Sequence, residues 1–186
     1  MRRRYFDYSA VPRPQRTLIL ACMLFWSVLA YLAINQFVIS SAAVTGLSME
    51  PTLGNGDRFV INRIGPRLGG LQRGEIVAVW LPGDDTMSVK RVVGLPLERV
   101  QFVGGRVYVE GHALVEPYLA PGIHTRSGNL GPHLFEVATN CYFLLGDNRE
   151  KSFDSRFVGA IHRRDIVGRL VMPRAPERLT RLASET

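Results

Sequence analysis

From residue 17 to residue 49 the chain carries no charged side chain. The first 23 residues of that run, 17–39 (TLILACMLFWSVLAYLAINQFVI), are apolar apart from Thr17, Ser27, Asn35 and Gln36. Wound as a helix at about 1.5 Å per residue, such a segment is long enough to cross a bilayer core of roughly 30 Å. A cleaved signal peptide is the competing reading, favoured by the basic start and by the small residues Ser40, Ser41, Ala42 and Ala43. The apolar segment exceeds the roughly 7–15 residues of a signal-peptide core, which argues for a retained anchor. Ahead of it stand Arg2, Arg3, Arg4, Arg13 and Arg16 against one acid, Asp7. The positive-inside bias then keeps residues 1–16 in the cytoplasm, makes 17–39 the transmembrane anchor, and sets residues 40–186 on the far side.

Those later residues read as mostly β, a domain of antiparallel sheets behind one N-terminal transmembrane helix. Segments 58–62, 75–81, 87–94, 99–103, 106–110, 141–145 and 165–171 are short, rich in Val, Ile, Phe and Tyr, and separated by Gly, Pro or Asp. None shows a sustained helical period. Gly104 and Gly105, set between Val100/Phe102 and Val107/Val109, predict a two-residue hairpin turn, because both positions must tolerate positive φ. Residues 111–140, with Pro117, Pro121, Gly122, Gly128, Gly131 and Pro132, read as a long connection or an inserted excursion. Residues 174–186 read as a solvated end.

Composition narrows the chemistry. With 46% hydrophobic residues the chain can bury a core, so disorder is excluded. Two cysteines without metal-ligand spacing exclude a disulfide scaffold and disfavour a zinc module; Cys22 falls in the anchor and Cys141 reads as a buried apolar residue. No metal or nucleotide motif occurs, so no cofactor is expected. The net charge of +7 is spread along the chain except for the cluster at Arg2, Arg3 and Arg4, which points to membrane lipid rather than nucleic acid.

Of the 23 basic residues only Lys90 and Lys151 are lysines. An ammonium can be driven neutral by burial, whereas a guanidinium stays charged, so a lysine can act as a base. Lys90 lies in the strand-like segment Met87-Ser88-Val89-Lys90-Arg91-Val92-Val93, where alternation sends it to the side opposite Val89. A solvent-facing strand lysine is the plain alternative. His112, His124, His133 and His162 sit among Gly, Pro and charged neighbours and read as surface or loop residues.

Three segments stand out together: Ser48-Met49-Glu50-Pro51-Thr52-Leu53 just past the anchor, Lys90-Arg91-Val92-Val93-Gly94, and Gly146-Asp147-Asn148-Arg149-Glu150-Lys151-Ser152-Phe153-Asp154-Ser155-Arg156. In this order they resemble the nucleophile, base and third boxes of type I signal peptidases, membrane-bound endopeptidases that remove signal peptides from exported preproteins with a Ser-Lys dyad. The resemblance implies Ser48 as nucleophile and Lys90 as its general base. It implies that Ser152 hydrogen-bonds the Lys90 amine, that Asp154 and Arg156 form an ion pair bracing the loop, and that Asp147 braces the same loop. Turn formation and surface charge are the plain alternative for Asp147, Asp154 and Arg156.

It further implies that the preprotein lies extended beside residues 42–45 and 87–89, with Val44, Met49, Leu53 and Val89 matching positions of pockets for small residues; membership of the core is the alternative for these four. Departures from the family pattern are Gly46 where some members carry an oxyanion-binding Ser, Pro96-Leu97-Glu98 in place of P-G-D, and Glu150-Lys151 in the third box. With Gly46 the oxyanion site would rest on backbone N–H groups, including that of Ser48. Two other functions remain open at this stage. One is a specialised pilin or conjugation maturation peptidase of the same clan. The other is an inactive membrane-tethered β module that binds exported chains.

Overall fold

The structure is a computed structural model, and it describes residues 13–37, 39–63, 69–128 and 134–171. Arg2, Arg3, Arg4, His133 and the tail beyond residue 171 lie outside the described residues. The chain divides into two compact units, residues 1–38 and 39–186.

The first unit holds helix α1, Arg13–Phe37. It starts earlier than the apolar run, because arginine is a good helix former and Pro14 falls in the first turn, where its missing N–H costs nothing. It also stops short of residue 39: Ile39 opens a strand instead. The large apolar side chains between Leu18 and Leu32 are exposed, and the window Gln15–Leu32 is long and apolar enough to cross a membrane.

The second unit is built of antiparallel strands. A seven-stranded sheet takes the order β1-β2-β11-β3-β4-β9-β10, from β1 (Ile39–Ala43), β2 (Arg58–Asn62), β3 (Ile76–Trp80), β4 (Met87–Gly94), β9 (Cys141–Leu145), β10 (Ile161–His162) and β11 (Ile166–Val171). A four-stranded sheet takes the order β7-β6-β5-β8, from β5 (Arg99–Val103), β6 (Arg106–Val109), β7 (His112–Ala113) and β8 (Leu134–Glu136). A single helical turn, α2 (Ser155–Val158), follows β9.

The sheets cohere because side chains alternate across each strand. On one face of the large sheet Phe59, Ile61, Ile76, Ala78, Val89 and Leu170 pack with Val44, Met49 and Leu53. On the other face Val77, Val79, Val92, Leu144 and Ile166 form a second cluster. Both faces of β3 are thus covered, which is why Ile76–Trp80 reads as an unbroken apolar run rather than an alternating one. A third cluster joins the two sheets through Val93, Phe143 and Leu145 on one side and Val100, Phe102, Val107 and Val109 on the other. Cys141, at the end of the large sheet, is half-buried against this cluster rather than fully buried, and both cysteines are unpaired.

Two turns carry sequence signals to their structure. Gly104 and Gly105 have φ of 57° and 78°, the hairpin turn their pairing implied. At Pro96-Leu97-Glu98 the Glu98 N–H donates to the Leu95 carbonyl at 3.2 Å and Leu97 has φ of 69°. That is a type II turn with leucine where the geometry favours glycine. Glu98 closes it by accepting from the Leu95 N–H at 2.7 Å and from Arg73 at 2.6 Å.

Candidate active site

Ser48 stands in the turn between β1 and β2. The neighbours Met49 and Leu53 are buried in the first cluster and pin the turn to the sheet, while Ser48 is left half-buried at its rim. The turn is held by Leu53 N–H on the Met49 carbonyl at 2.9 Å, and the Glu50–Pro51 peptide is cis. Gly46 has φ of 116°, a region side chains rarely adopt, although a Cβ there would meet nothing within 4 Å. Conformation, not space, thus accounts for glycine at this departure from the family pattern.

Lys90 lies on β4 opposite Val77 of β3, on the side away from Val89, and is 2% exposed. It is therefore not the solvent-facing strand lysine. Burial pushes its amine below the ordinary lysine value; the Asp154 and Asp84 carboxylates pull the other way, and Arg156 adds to the lowering. The Lys90 amine makes none of the ion pairs found among the described residues.

The loop after β9 is fixed through both backbone polar groups of one residue, Gly146. Gly146 N–H donates to Asp154 Oδ2 at 3.0 Å, and its carbonyl accepts from Arg149 Nε at 3.0 Å. A Cβ on Gly146 would overlap the Ser152 hydroxyl and come within 2.5 Å of the Ser48 carbonyl oxygen. Only glycine lets these two serines approach the same point. Asp154 is fully buried and fully engaged: Arg156 donates to it through Nε and Nη2, both at 2.8 Å, and its side chain caps α2 through the Arg156 N–H. The expected Asp154–Arg156 ion pair is present. The Ser152 hydroxyl differs from expectation: it is buried and, among the described residues, makes no hydrogen bond to Lys90 or to any other group.

Asp147 is also buried, and its partner is Arg91, a residue without an expected role. Arg91 forks onto it through Nε at 2.8 Å and Nη2 at 2.6 Å, and also reaches the Gly74 carbonyl at 2.7 Å. An arginine set among Val89, Val92 and Val93 of one strand is the available signal, since a charge buried there needs a partner. A second unassigned arginine, Arg149, pairs with Glu116 and with the Thr125 hydroxyl. Tyr118 lies against Arg91, 3.9 Å from guanidinium to ring centroid, and its hydroxyl donates to Glu116 at 2.8 Å. Burial, with Glu116 beside it, holds that hydroxyl above the usual phenol range, so it stays a donor. Glu116, Tyr118 and Thr125 belong to the long connection, where no periodicity marks them.

The four candidate pocket residues, Val44, Met49, Leu53 and Val89, pack together in the first cluster, and Val44 and Val89 keep more exposure than Met49 and Leu53. His112, His124 and His162 are exposed, as is Lys151. The site thus holds a half-buried serine, Ser48, whose carbonyl lies with the Ser152 hydroxyl against Gly146, and a buried lysine, Lys90, whose amine burial pushes below its ordinary value and whose charged neighbours include the Asp154–Arg156 pair.

Residues 16–174 match the family model described as signal peptidase, peptidase S26. The chain is similar to signal peptidase IB of Staphylococcus aureus, 34% identical over 150 residues, 74% of this chain and 78% of that protein. It is also similar to signal peptidase I S of Bacillus subtilis, 36% identical over 151 residues, 76% of this chain and 80% of that one. Among solved structures, a signal peptidase I from Enterococcus faecalis matches with a TM-score of 0.47 and 30% identity, over 54% of this chain and 97% of that one.

Proposed function

The chain belongs to the peptidase S26 family and is a membrane signal peptidase, a serine endopeptidase, and on that premise we propose that Ser48 and Lys90 are its catalytic dyad. The observation that carries the proposal is the burial of Lys90 with its amine below the ordinary value, because only a neutral amine can take a proton from a serine hydroxyl. Lys90 accepts the Ser48 proton as Ser48 Oγ adds to the scissile carbonyl. The same proton then passes to the leaving amine, and water hydrolyses the acyl-enzyme. Ser152 is the orienting hydroxyl for Lys90; as a buried group without a protein partner it is suited to bond the amine as the site closes on substrate. Asp147, Asp154 and Arg156 hold the loop that carries it.

The substrate adds as an extended strand between residues 42–45 and 87–89. Two features support this. Strand β1 is the edge of the large sheet, and the Val44 N–H and carbonyl are both bonded toward Asp57 and Gly56, so those of Ala43 and Thr45 point the other way. Strand β4 pairs with β9 only from Arg91 onward, which leaves residues 87–89 paired on the β3 side alone. Val44, Met49, Leu53 and Val89 form the floor of pockets that admit small residues, and Val44 and Val89 are nearest the surface.

Helix α1 is a single-pass anchor with the basic N-terminus in the cytoplasm against anionic lipid headgroups, and residues 40–186 work on the opposite side. The deciding experiment is cleavage of a presecretory protein by the detergent-purified chain, with mass spectrometry locating the cut. A cut after a small residue that disappears in Ser48→Ala and Lys90→Ala is the expected result; equal cutting by parent and variants overturns the dyad.

A further inference from the structure

The long connection between β7 and β8 reaches the catalytic loops through one carboxylate. Glu116 Oε1 accepts from Arg149 Nη2 at 2.5 Å and from the Tyr118 hydroxyl at 2.8 Å, while Oε2 accepts from Arg149 Nη1 at 3.3 Å. Thr125, from the same connection, accepts from Nη1 at 2.5 Å. The Arg149 side chain is 1% exposed and that of Glu116 9%. A buried pair of this kind is no stability device, since apolar residues of equal volume serve as well. Its effect is geometric, because a planar guanidinium held at Nη1 and Nη2 has its Nε direction fixed too.

That Nε bonds the Gly146 carbonyl. Gly146 is the residue against which the Ser152 hydroxyl and the Ser48 carbonyl both lie. We infer that Glu116 is a positioning residue for the cleavage reaction, fixing the Gly146 peptide through Arg149 and thereby the placement of Ser48 and Ser152. The inference rests on the assignment of Ser48 as nucleophile. It gives the connection, a segment without catalytic side chains of its own, a part in setting the rate. Displacements of about 1 Å in a reacting constellation cost on the order of 100-fold in rate.

Glu116→Gln keeps the shape but turns an amide donor toward Arg149. The full-length chain in detergent, with Glu116→Gln and Thr125→Val beside it, is titrated with a serine-directed acylating inhibitor to count competent sites. Cleavage of a signal-peptide substrate then gives kcat per titrated site and KM. In Glu116→Gln, kcat per site falls about tenfold or more with KM within about twofold, and in Thr125→Val it falls by a smaller factor. A merely structural role would lower the number of competent sites and leave kcat per site unchanged, and that result overturns the inference. Should Glu116→Gln fail to fold, Thr125→Val decides alone: an unchanged kcat per site overturns it. A parent chain that cuts without being acylated at Ser48 overturns the nucleophile assignment and this inference with it. A parent acylated at Ser48 beside a Glu116→Gln variant of unchanged kcat per site overturns the inference only.

Discussion

The backbone N–H of Asn148 donates to the carbonyl oxygen of Ser48 at 3.0 Å. The Ser48 segment and the third box are therefore joined main chain to main chain, and the placement of Ser48 depends on the backbone path of the loop rather than on any side chain at 148.

Gly146→Ala tests that dependence. The added Cβ has no room between the Ser152 hydroxyl and the Ser48 carbonyl, so the loop must shift. The variant is expected to lose about 100-fold or more in kcat/KM, and roughly 1–3 kcal/mol of stability from overpacking. A peptide cleavage assay and urea unfolding measure the two.

The pH dependence follows from Lys90. As the proposed base Lys90 acts with its amine neutral, so kcat/KM is expected to rise with pH through the folded-state pKa, which burial sets below the ordinary value of about 10.4. Between those two values the unfolded chain holds a proton that the folded chain does not. The stability from this group is complete above about 10.4 and is lost as pH falls through the folded-state value. Asp84 favours the ammonium, so Asp84→Asn moves the acid limb to lower pH. Raising salt to about 1 M, where the screening length is about 3 Å, brings parent and variant profiles together. Rate profiles at two salt concentrations check both statements.

Asp147→Asn leaves the Arg91 guanidinium buried without its counter-charge. A loss of about 3–5 kcal/mol in urea unfolding is expected. The double change Arg91→Met with Asp147→Leu recovers most of it, because the pair as a whole adds little net stability.

Leu97 is exposed and holds φ of 69° at the third position of its turn. A non-glycine residue in that region is strained by about 1–2 kcal/mol, offset in part by the chain entropy that glycine loses on folding. Leu97→Gly is expected to raise stability by up to about 1 kcal/mol without changing kcat/KM, and thermal unfolding measures it.

Much of the scaffold was legible because its signals are local. Segments 58–62, 87–94, 99–103 and 141–145 coincide with strands, since β-branched and aromatic residues cluster there between turn formers. Strand β1 carries no local signal, because its residues, Ile39–Ala43, include two serines and two alanines and follow an apolar run without a break. Strands β7, β8 and β10 have two or three residues each, too few to show a period. Lys90 could be singled out by the scarcity of lysine, but its burial depends on strands far away in sequence. Glu116 and Arg149 were out of reach for the same reason: they are 33 positions apart, and nothing in either neighbourhood announces a partner. The Ser152 hydroxyl, implied by the resemblance to bond Lys90, has no partner among the described residues, a difference of side-chain placement that no sequence pattern encodes.

The order of the large sheet also sets a timetable for synthesis. The last described strand, Ile166–Val171, lies between β2 and β3, and supplies the ladder that joins the hairpin leading from Ser48 to the hairpin bearing Lys90. Until those residues have been made, Ser48 and Lys90 lie on two hairpins that this ladder has yet to join. With Ser48 and Lys90 as the proposed dyad, cleavage is expected only from chains extended through residue 171, and a nascent chain stalled before Ile166 is expected to be inactive.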